Sequence, residues 1–256
     1  MNTLNFILWK WRDPSYDISY EAHHVNTMVR MLERHTNQPH RVICITDDPE
    51  GIECETFPLW NDLSSMKNES WKDLRPKFKT MVFPSCYRRL KIFSREVTNA
   101  LGINDGERVV SLDIDTVITD TLDPLFDRSE DFVGWHSGPG HTNPSKWRLP
   151  GFNGSVWMFR AGACEYLWNE FDPVESPKLA KAAGYLGSDQ GWMSYKMFGK
   201  SAQWTTDDGI RRYFAELMPV GATLLPATRI VAFPGTWKPW DLSVIARSPW
   251  ITEHYR

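Results

Sequence analysis

The sequence has no long hydrophobic run. Its apolar segments, such as residues 5–9 and 108–112, extend for only a few residues before a charged side chain, whereas a membrane-spanning helix needs about 20 apolar residues. Its first residues lack both the basic start and the apolar stretch of a secretory signal. These absences predict a chain without a transmembrane segment, and we expect a cytoplasmic location.

Cysteine is scarce, and neither sign of charge dominates. Four cysteines (Cys44, Cys54, Cys86 and Cys164) have no CxxC spacing, so they indicate neither a zinc site nor a dense disulfide framework. Lysine and arginine number 29 against 32 aspartates and glutamates, a net charge of -3, which gives no general basic field for nucleic acid. Tryptophan is abundant instead, with 13 residues, and indole rings stack on sugars as readily as they fill cores.

Hydrophobic spacing predicts alternating strands and helices. Residues 5–9 and 41–46 are predicted strands, and residues 20–35 between them have apolar side chains at helical spacing. A strand, a helix-length crossover and a second strand indicate a parallel α/β sheet. No repeat or linker divides the chain, so we expect one domain over residues 1–256.

The remaining elements follow from similar patterns. A long loop is expected over residues 136–151, which are rich in Gly, Pro, His and Asn and are typical of a lid or an acceptor site. The other predicted elements are a helix over 85–101 ended by Gly102, strands over 108–112, 152–159 and 229–233, a helix over 165–171, and a helix over 189–198 with Ser188 as its N-cap.

Two aspartates, Asp113 and Asp115, follow the predicted strand 108–112. Ligands of open α/β sheets bind beyond the carboxyl ends of the strands. In an extended segment residues i and i+2 project to one side, so both carboxylates can address one hard divalent cation. Such a cation would neutralise a diphosphate leaving group. Taken alone, the pattern is equally consistent with solvated aspartates at a strand end, with Asp115 or Thr116 capping the next turn.

The same D-x-D-x-V pattern resembles the first motif of haloacid-dehalogenase-type phosphatases. In that interpretation Asp113 would be the phosphorylated nucleophile and Asp115 the general acid. The phosphatase motif normally lies on the first strand, whereas in this chain a strand-helix-strand pattern precedes it. The order of elements therefore favours the other interpretation.

Several segments between residues 6 and 240 resemble family eight of the retaining glycosyltransferases, which includes glycogenin and bacterial lipopolysaccharide galactosyltransferases. Residues 87–90 (YRRL) match the family's Y-x-R-L helix, which implies that Arg89 lies near the donor. Residues 152–156 (FNGSV) are similar to its F-N-S-G-V strand with Gly and Ser exchanged. The resemblance implies that Asn153 binds sugar hydroxyls, although a plain turn asparagine is an alternative.

Two further matches lie in the C-terminal half. Residues 187–190 (GSDQ) resemble the family's D-Q pair, which implies that Asp189 contacts sugar hydroxyls and that the Gln190 amide lies by the anomeric carbon. Residues 235–240 (GTWKPW) match its G-x-x-K-P-W ending, which implies that Gly235 lets the backbone approach the diphosphate and that Lys238 binds it. A helix start and a solvated turn lysine are the structural alternatives.

One departure concerns the metal. The family places a histidine, its third metal ligand, two residues before the glycine, and in this chain Phe233 occupies that position. His136, His141 and His254 are candidates without positional support. We therefore expect Mn²⁺ or Mg²⁺ to be held by Asp113, Asp115, waters and diphosphate, and to bind weakly without the donor.

At the N-terminus, residues 8–11 (LWKW) with residues 46–48 (TDD) resemble a bacterial and phage branch of such transferases. Because the end of the first strand meets the nucleotide base in this fold, Lys10 and Trp11 are candidates to frame a uracil. A strand-end tryptophan in the core explains the pattern equally well. The branch implies a bacterial or phage-infected cell.

The resemblance thus implies a single GT-A-type α/β domain with a mostly parallel central sheet flanked by helices. The implied reaction moves a sugar from a nucleoside diphosphate, expected to be UDP, to an acceptor hydroxyl with retention, by front-face attack or with Asp189 as nucleophile. The acceptor is expected to be a glycan or a protein, and a non-catalytic glycan-binding protein is a further alternative. A modified base in phage DNA is a minority interpretation that rests on Arg88, Arg89, Lys91 and Arg95.

Overall fold

The computed structural model of the protein describes residues 3–13, 16, 18–70, 72, 83, 85–136 and 151–256. Its strands, in chain order, are β1 (Leu4–Lys10), β2 (His40–Thr46), β3 (Glu55–Pro58), β4 (Arg108–Leu112), β5 (Thr116–Ile118), β6 (Phe132–His136), β7 (Phe152–Arg160), β8 (Ala202–Trp204), β9 (Ile210–Arg212) and β10 (Ile230–Ala232).

Seven of these strands form one sheet in the order β3-β2-β1-β4-β7-β6-β8. The pairs β3-β2, β2-β1, β1-β4 and β6-β8 are parallel, whereas β7 runs antiparallel to β4 and β6. A small second sheet has the order β5-β10-β9. The predicted class, a mostly parallel sheet flanked by helices, is confirmed.

Helices cover the sheet, and no helix of the described residues is long and apolar enough to cross a membrane. They are α1 (Ala22–His35), a 3-10 helix (Tyr87–Phe93; below, the 3-10 helix), α2 (Arg95–Ala100), α3 (Asp123–Phe126), α4 (Tyr166–Asn169), α5 (Glu175–Ala182), α6 (Asp189–Met197), α7 (Leu242–Arg247) and α8 (Trp250–His254). Further helical segments are a 3-10 turn at Thr206–Asp208, a π-helix at Tyr213–Leu217 and a 3-10 turn at Met218–Val220.

The predicted helix over residues 85–101 is wrong as a single element. It is a 3-10 helix followed by α2, separated at Ser94, whose backbone is extended with ψ 141. The Ser94 hydroxyl accepts a hydrogen bond from the Val97 N–H at 3.3 Å, and serine is a favoured N-cap because it satisfies such a donor. Arg89, in the 3-10 helix, is buried.

Two hydrophobic clusters form the core. One includes α1 and the small sheet, and the other includes the 3-10 helix and α6. Strand β1 is buried along its whole length, as expected for a strand with neighbours on both edges and helices on both faces. Trp135, Trp157 and Trp204 are fully buried, so these tryptophans fill the core and do not face a ligand.

The parallel strands β1, β2 and β4 end at one edge of the sheet, at Lys10, Thr46 and Leu112. Asp113 and Asp115 follow directly. The long loop predicted from residue 136 to 151 falls on residues 137–150, which lie outside the described part of the chain. The carboxyl ends of the parallel strands and the two aspartates therefore lie at the same edge of the sheet, where the sequence predicted a ligand site.

Gly134, in β6, leaves room for the ring of Phe152, in β7. A Cβ atom at Gly134 would lie 2.4 Å from the ring of Phe152. We expect Gly134→Ala to lower the free energy of unfolding by about 1–3 kcal/mol because the ring has to move, as measured by urea denaturation. Adding Phe152→Leu should recover part of this loss, and a double variant without recovery would contradict the steric cause.

Candidate active site

The two aspartates lie in a turn between β4 and β5, not in the extended segment that the sequence predicted. The Thr116 hydroxyl donates to the Asp113 carbonyl at 2.9 Å, which closes the turn. Ile114 between them is buried in the core. The two carboxylates are near enough for Asp115 to raise the pKa of Asp113, yet each is bonded to a cation of its own.

The cation of Asp113 is Arg89, which is 4% exposed. Its Nη1 atom lies 2.6 Å from Oδ1 of Asp113. Its Nε and Nη2 atoms lie 2.7 and 2.6 Å from Oδ2 of Asp189. The planar guanidinium has donors enough for both carboxylates, so it joins the 3-10 helix, the β4-β5 turn and α6 at one point.

Burial shapes the electrostatics of this group. Burial raises the pKa of Asp113 to about 6 from 3.8; the Arg89 guanidinium opposes the rise, and the Asp115 carboxylate adds to it. Burial also raises the pKa of Asp189, against the effect of Arg89. Burial alone would lower the pKa of Arg89, but the neighbouring carboxylates outweigh this effect, and the net pKa is raised. The arginine therefore stays charged.

Asp189 and Gln190 begin α6, as predicted, but Ser188 does not cap the helix with its side chain. Ser188 is the N-cap residue as predicted, but its hydroxyl has other partners: it accepts from the Cys86 N–H at 2.9 Å and donates to Asp189 at 3.3 Å. Asp189 is only 2% exposed. Its carboxylate is therefore enclosed by Arg89 and Ser188.

Strand β7 lies against this group. Gln190 Oε1 accepts the Gly154 N–H at 2.9 Å, and its Nε2 donates to the Leu186 carbonyl at 3.4 Å. Asn153 Oδ1 accepts the Ser155 N–H at 2.9 Å. A Cβ at Gly154 would lie 2.6 Å from Nη2 of Arg89. The exchange of Gly and Ser in this motif thus has a physical reason, since only glycine leaves room for the guanidinium.

The cation of Asp115 is Lys238, whose ammonium bonds to Oδ2 and also lies 3.3 Å from the Phe233 carbonyl. Gly235, in the same loop, has a left-handed backbone with φ +98 and open space around its Cβ direction. Sequence reasoning missed Tyr20, whose hydroxyl donates to the same Oδ2 at 3.0 Å. No motif marks this tyrosine.

Tyr16 was missed for the same reason. Its hydroxyl donates to the Gly235 carbonyl at 3.2 Å, and burial, with Asp115 and Cys86 nearby, raises its pKa to about 12. A neutral phenol thus links the segment before α1 to the loop that carries Lys238.

Among the residues that the structure describes, few side chains near Asp113 and Asp115 could bind a divalent cation. Phe233 stacks on Tyr213 with ring centroids 4.6 Å apart and offers no ligand side chain. Within the described residues, no group of three His, Cys, Asp or Glu side chains could hold a metal ion; His136 and His254 complete no such group, and His141 lies outside those residues. Asp113 and Asp115 lie close together and offer carboxylate oxygens, which are the ligands that Mn²⁺ and Mg²⁺ prefer.

Lys10 and Trp11 have different surroundings. The buried Lys10 ammonium bonds to the Asp48 carboxylate at 2.8 Å and to its carbonyl at 2.9 Å, so it holds the turn after β2. Half-buried Trp11 meets Trp9 edge to face at 6.4 Å, and Trp9 meets Trp60 at 5.8 Å. Of the two, Trp11 has the open surface that stacking on a base requires.

Comparisons with known proteins define the fold. No protein-family profile and no curated protein matches the chain, but solved structures do. The galactosyltransferase LgtC, solved with donor and acceptor sugar analogs, matches with a TM-score of 0.57 at 13% identity over 97% of this chain and 94% of LgtC. GlyE of Streptococcus pneumoniae TIGR4 matches with 0.55 at 13% identity over 94% of this chain and 56% of GlyE.

The bifunctional glycosyltransferase WbbM matches with a TM-score of 0.51 at 14% identity, over 98% of this chain and 51% of WbbM. The chain therefore spans nearly all of LgtC but about half of GlyE and of WbbM. It has the fold of these glycosyltransferases, in agreement with the GT-A-type fold that the sequence predicted.

We expect Arg89→Met to lower the free energy of unfolding by about 3–5 kcal/mol, because the buried carboxylate of Asp189 loses its cation and the partly exposed carboxylate of Asp113 loses its ion pair. Arg95→Met is a matched control: Arg95 also bridges two carboxylates, Asp105 and Glu165, but its side chain is 50% exposed, and its loss should cost about 0–1 kcal/mol. Chemical denaturation measures both. Equal losses of unfolding free energy in the two variants would contradict the larger contribution expected of the buried Arg89.

The raised pKa of Asp113 predicts a pH dependence. Since this pKa is about 6 in the folded protein against an ordinary 3.8, folding favours the protonated carboxyl. The contribution is present below about pH 4 and is lost as the pH rises through about 6. The free energy of unfolding of the wild type should therefore fall relative to that of Asp113→Asn between about pH 4 and 7. Parallel urea-unfolding results over this range would refute the shift.

Proposed function

We propose that the protein is a glycosyltransferase that moves a sugar from a UDP-sugar to an acceptor hydroxyl, with Mn²⁺ or Mg²⁺ as cofactor and with retention of configuration. The observation that carries the proposal is the joined group Arg89, Asp113 and Asp189 beside Asp115 and Lys238, at the carboxyl edge of a GT-A sheet. Acidic and basic groups converge there on the space where such sheets bind ligands.

The diphosphate is assigned to the loop that begins at Gly235. The open left-handed backbone of Gly235 lets main-chain atoms approach an anion, and the Lys238 ammonium is held nearby. Asp113 and Asp115 would hold the divalent cation, which supplies charge neutralisation for the departing diphosphate. On the nucleoside side, Trp11 offers a ring for the base and Lys10 fixes the neighbouring turn through Asp48.

The sugar is assigned to Asp189, Gln190 and Asn153. Asp189 is bonded to Arg89 and Ser188, so its carboxylate is fixed in place beside the proposed sugar site. Its enclosure is unfavourable for a covalent nucleophile, which has to reach the anomeric carbon. Front-face attack, in which the departing phosphate oxygen takes the acceptor proton, is therefore the mechanism that we propose.

The acceptor is proposed to be a glycan or a protein. A modified base in DNA has less support, because the basic stretch after residue 87 does not form a free cationic face. Arg89 is buried, Lys91 bonds to Asp62 at 3.0 Å, and Arg95 lies between Asp105 and Glu165. Charges already compensated within the protein contribute little to binding phosphates.

The phosphatase alternative requires Asp113 as a nucleophile with Asp115 as general acid. Asp113 is bonded to Arg89, and Asp115 is bonded to Lys238 and Tyr20, whereas a nucleophile needs a free oxygen to attack phosphorus and a general acid needs one to reach the leaving group. This arrangement favours the transferase.

Thermal unfolding with UDP, GDP or free phosphate, each with and without Mn²⁺, tests the donor site. UDP with Mn²⁺ at a hundredfold excess over its dissociation constant should add about 2.7 kcal/mol of stability. Asp115→Ala should abolish this response, whereas Asp105→Ala, at an exposed ion pair with Arg95, should retain it. Hydrolysis of UDP-sugars and of p-nitrophenyl phosphate then separates transferase from phosphatase. Sugar binding that is indifferent to UDP and Mn²⁺ would contradict the proposal and favour a glycan-binding protein.

A further inference from the structure

The surroundings of the Lys238 ammonium are unusual for a group that is to bind a ligand. It is 3% exposed, bonds to Oδ2 of Asp115, lies 3.3 Å from the Phe233 carbonyl, and sits 5.6 Å from the centroid of the Tyr20 ring. The Tyr20 hydroxyl donates to the same Oδ2 at 3.0 Å. One oxygen of Asp115 therefore already has two donors, one of them a full positive charge.

A divalent cation at Asp115 would have to share this carboxylate with the ammonium. Asp115 is itself only 6% exposed, and like charges repel more strongly in such a site than in water because the effective dielectric constant is lower. The ammonium also lies at the main chain of Phe233, the position where the resemblance expects a neutral histidine ligand. The site thus contains a cation from its own chain.

The loop around Lys238 allows this ammonium to change partners. The Lys238 N–H donates to the Asp241 carboxylate at 2.7 Å, which anchors the backbone, while the four-carbon side chain remains able to turn. Gly235 has nothing within 4 Å of its Cβ direction, so an anion can come close to the loop. Diphosphate oxygens would compete with Asp115 for the ammonium and leave this carboxylate to a metal ion.

We propose that Lys238 is an internal counter-cation that keeps Asp115 closed to a divalent ion until a nucleoside diphosphate takes the ammonium. Metal and diphosphate then enter the site as one unit. The inference rests on the proposed donor site and adds an order of binding to it.

Binding of Mn²⁺ to the nucleotide-free protein, followed by the electron paramagnetic resonance of free Mn²⁺, tests the proposal directly. Lys238→Met should bind Mn²⁺ at least about tenfold more tightly than the wild type, since the competing charge is gone. Adding Asp115→Asn to this variant should abolish the gain. Lys91→Met is the matched control: this lysine is also largely buried and paired, with Asp62 and Glu96, and its loss should leave the titration unchanged.

A second arm compares the effect of UDP on the wild type and on Lys238→Met, with a titration of UDP and Mn²⁺ without protein as the reference. UDP should tighten Mn²⁺ binding by more in the wild type than in Lys238→Met, because only in the wild type does the diphosphate also remove an ammonium from Asp115. Lys238→Arg, which keeps the charge, should remain as weak as the wild type without UDP. Tight binding of Mn²⁺ to the nucleotide-free wild type, or a folded Lys238→Met protein with unchanged affinity, would overturn the inference.

The two arms separate this inference from the proposed function. If UDP binds the wild type neither with nor without Mn²⁺, the donor site fails, yet the nucleotide-free comparison still decides whether Lys238 excludes the metal. If UDP and Mn²⁺ bind the wild type independently of one another, the donor site stands and the counter-cation role of Lys238 is wrong.

Discussion

The ion pairs of the Arg89 guanidinium are the interaction on which the rest of the site depends. A buried arginine is tolerated only when its charge and its N–H donors are matched, and Asp113 and Asp189 together provide this match. The match explains why residue 154 is glycine, because a Cβ there would meet the guanidinium. It also explains why the 3-10 helix, the β4-β5 turn and α6 meet at one point.

The described site has more negative than positive charges. Three carboxylates, Asp113, Asp115 and Asp189, face two cations, Arg89 and Lys238. Burial raises the pKa of Asp113, and the neighbouring Asp115 carboxylate adds to this rise. Such a site holds a diphosphate only when further positive charge arrives with it, which joins the proposed metal and donor in one electrostatic argument.

The sequence predicted the long, strongly patterned elements and the residue types of the site. Strands β1, β2, β4 and β7 are apolar runs and helix α1 has apolar side chains at helical spacing, and the predicted strand over 229–233 corresponds to β10. By contrast, β5, β8 and β9 are three residues long and are too short to show a pattern. Motifs predicted Arg89, Asp189 and Lys238. They did not predict Tyr20, because its bond to Asp115 joins residues 95 positions apart and follows from packing alone. The predicted hydrogen bond from the Ser188 side chain to its own helix is absent for a similar reason, since the distant Cys86 N–H donates to its hydroxyl.

The order of the site residues along the chain has a consequence for synthesis. Asp115 obtains its ammonium from a residue 123 positions later, and Asp113 is joined through Arg89 to Asp189. A nascent chain that has left the ribosome only as far as β7 therefore has β1, β2 and β4 to pair, but neither Asp189 nor Lys238. Because non-local contacts of this kind form late, the central strands can pair during translation while the site has to wait for Asp189 and Lys238.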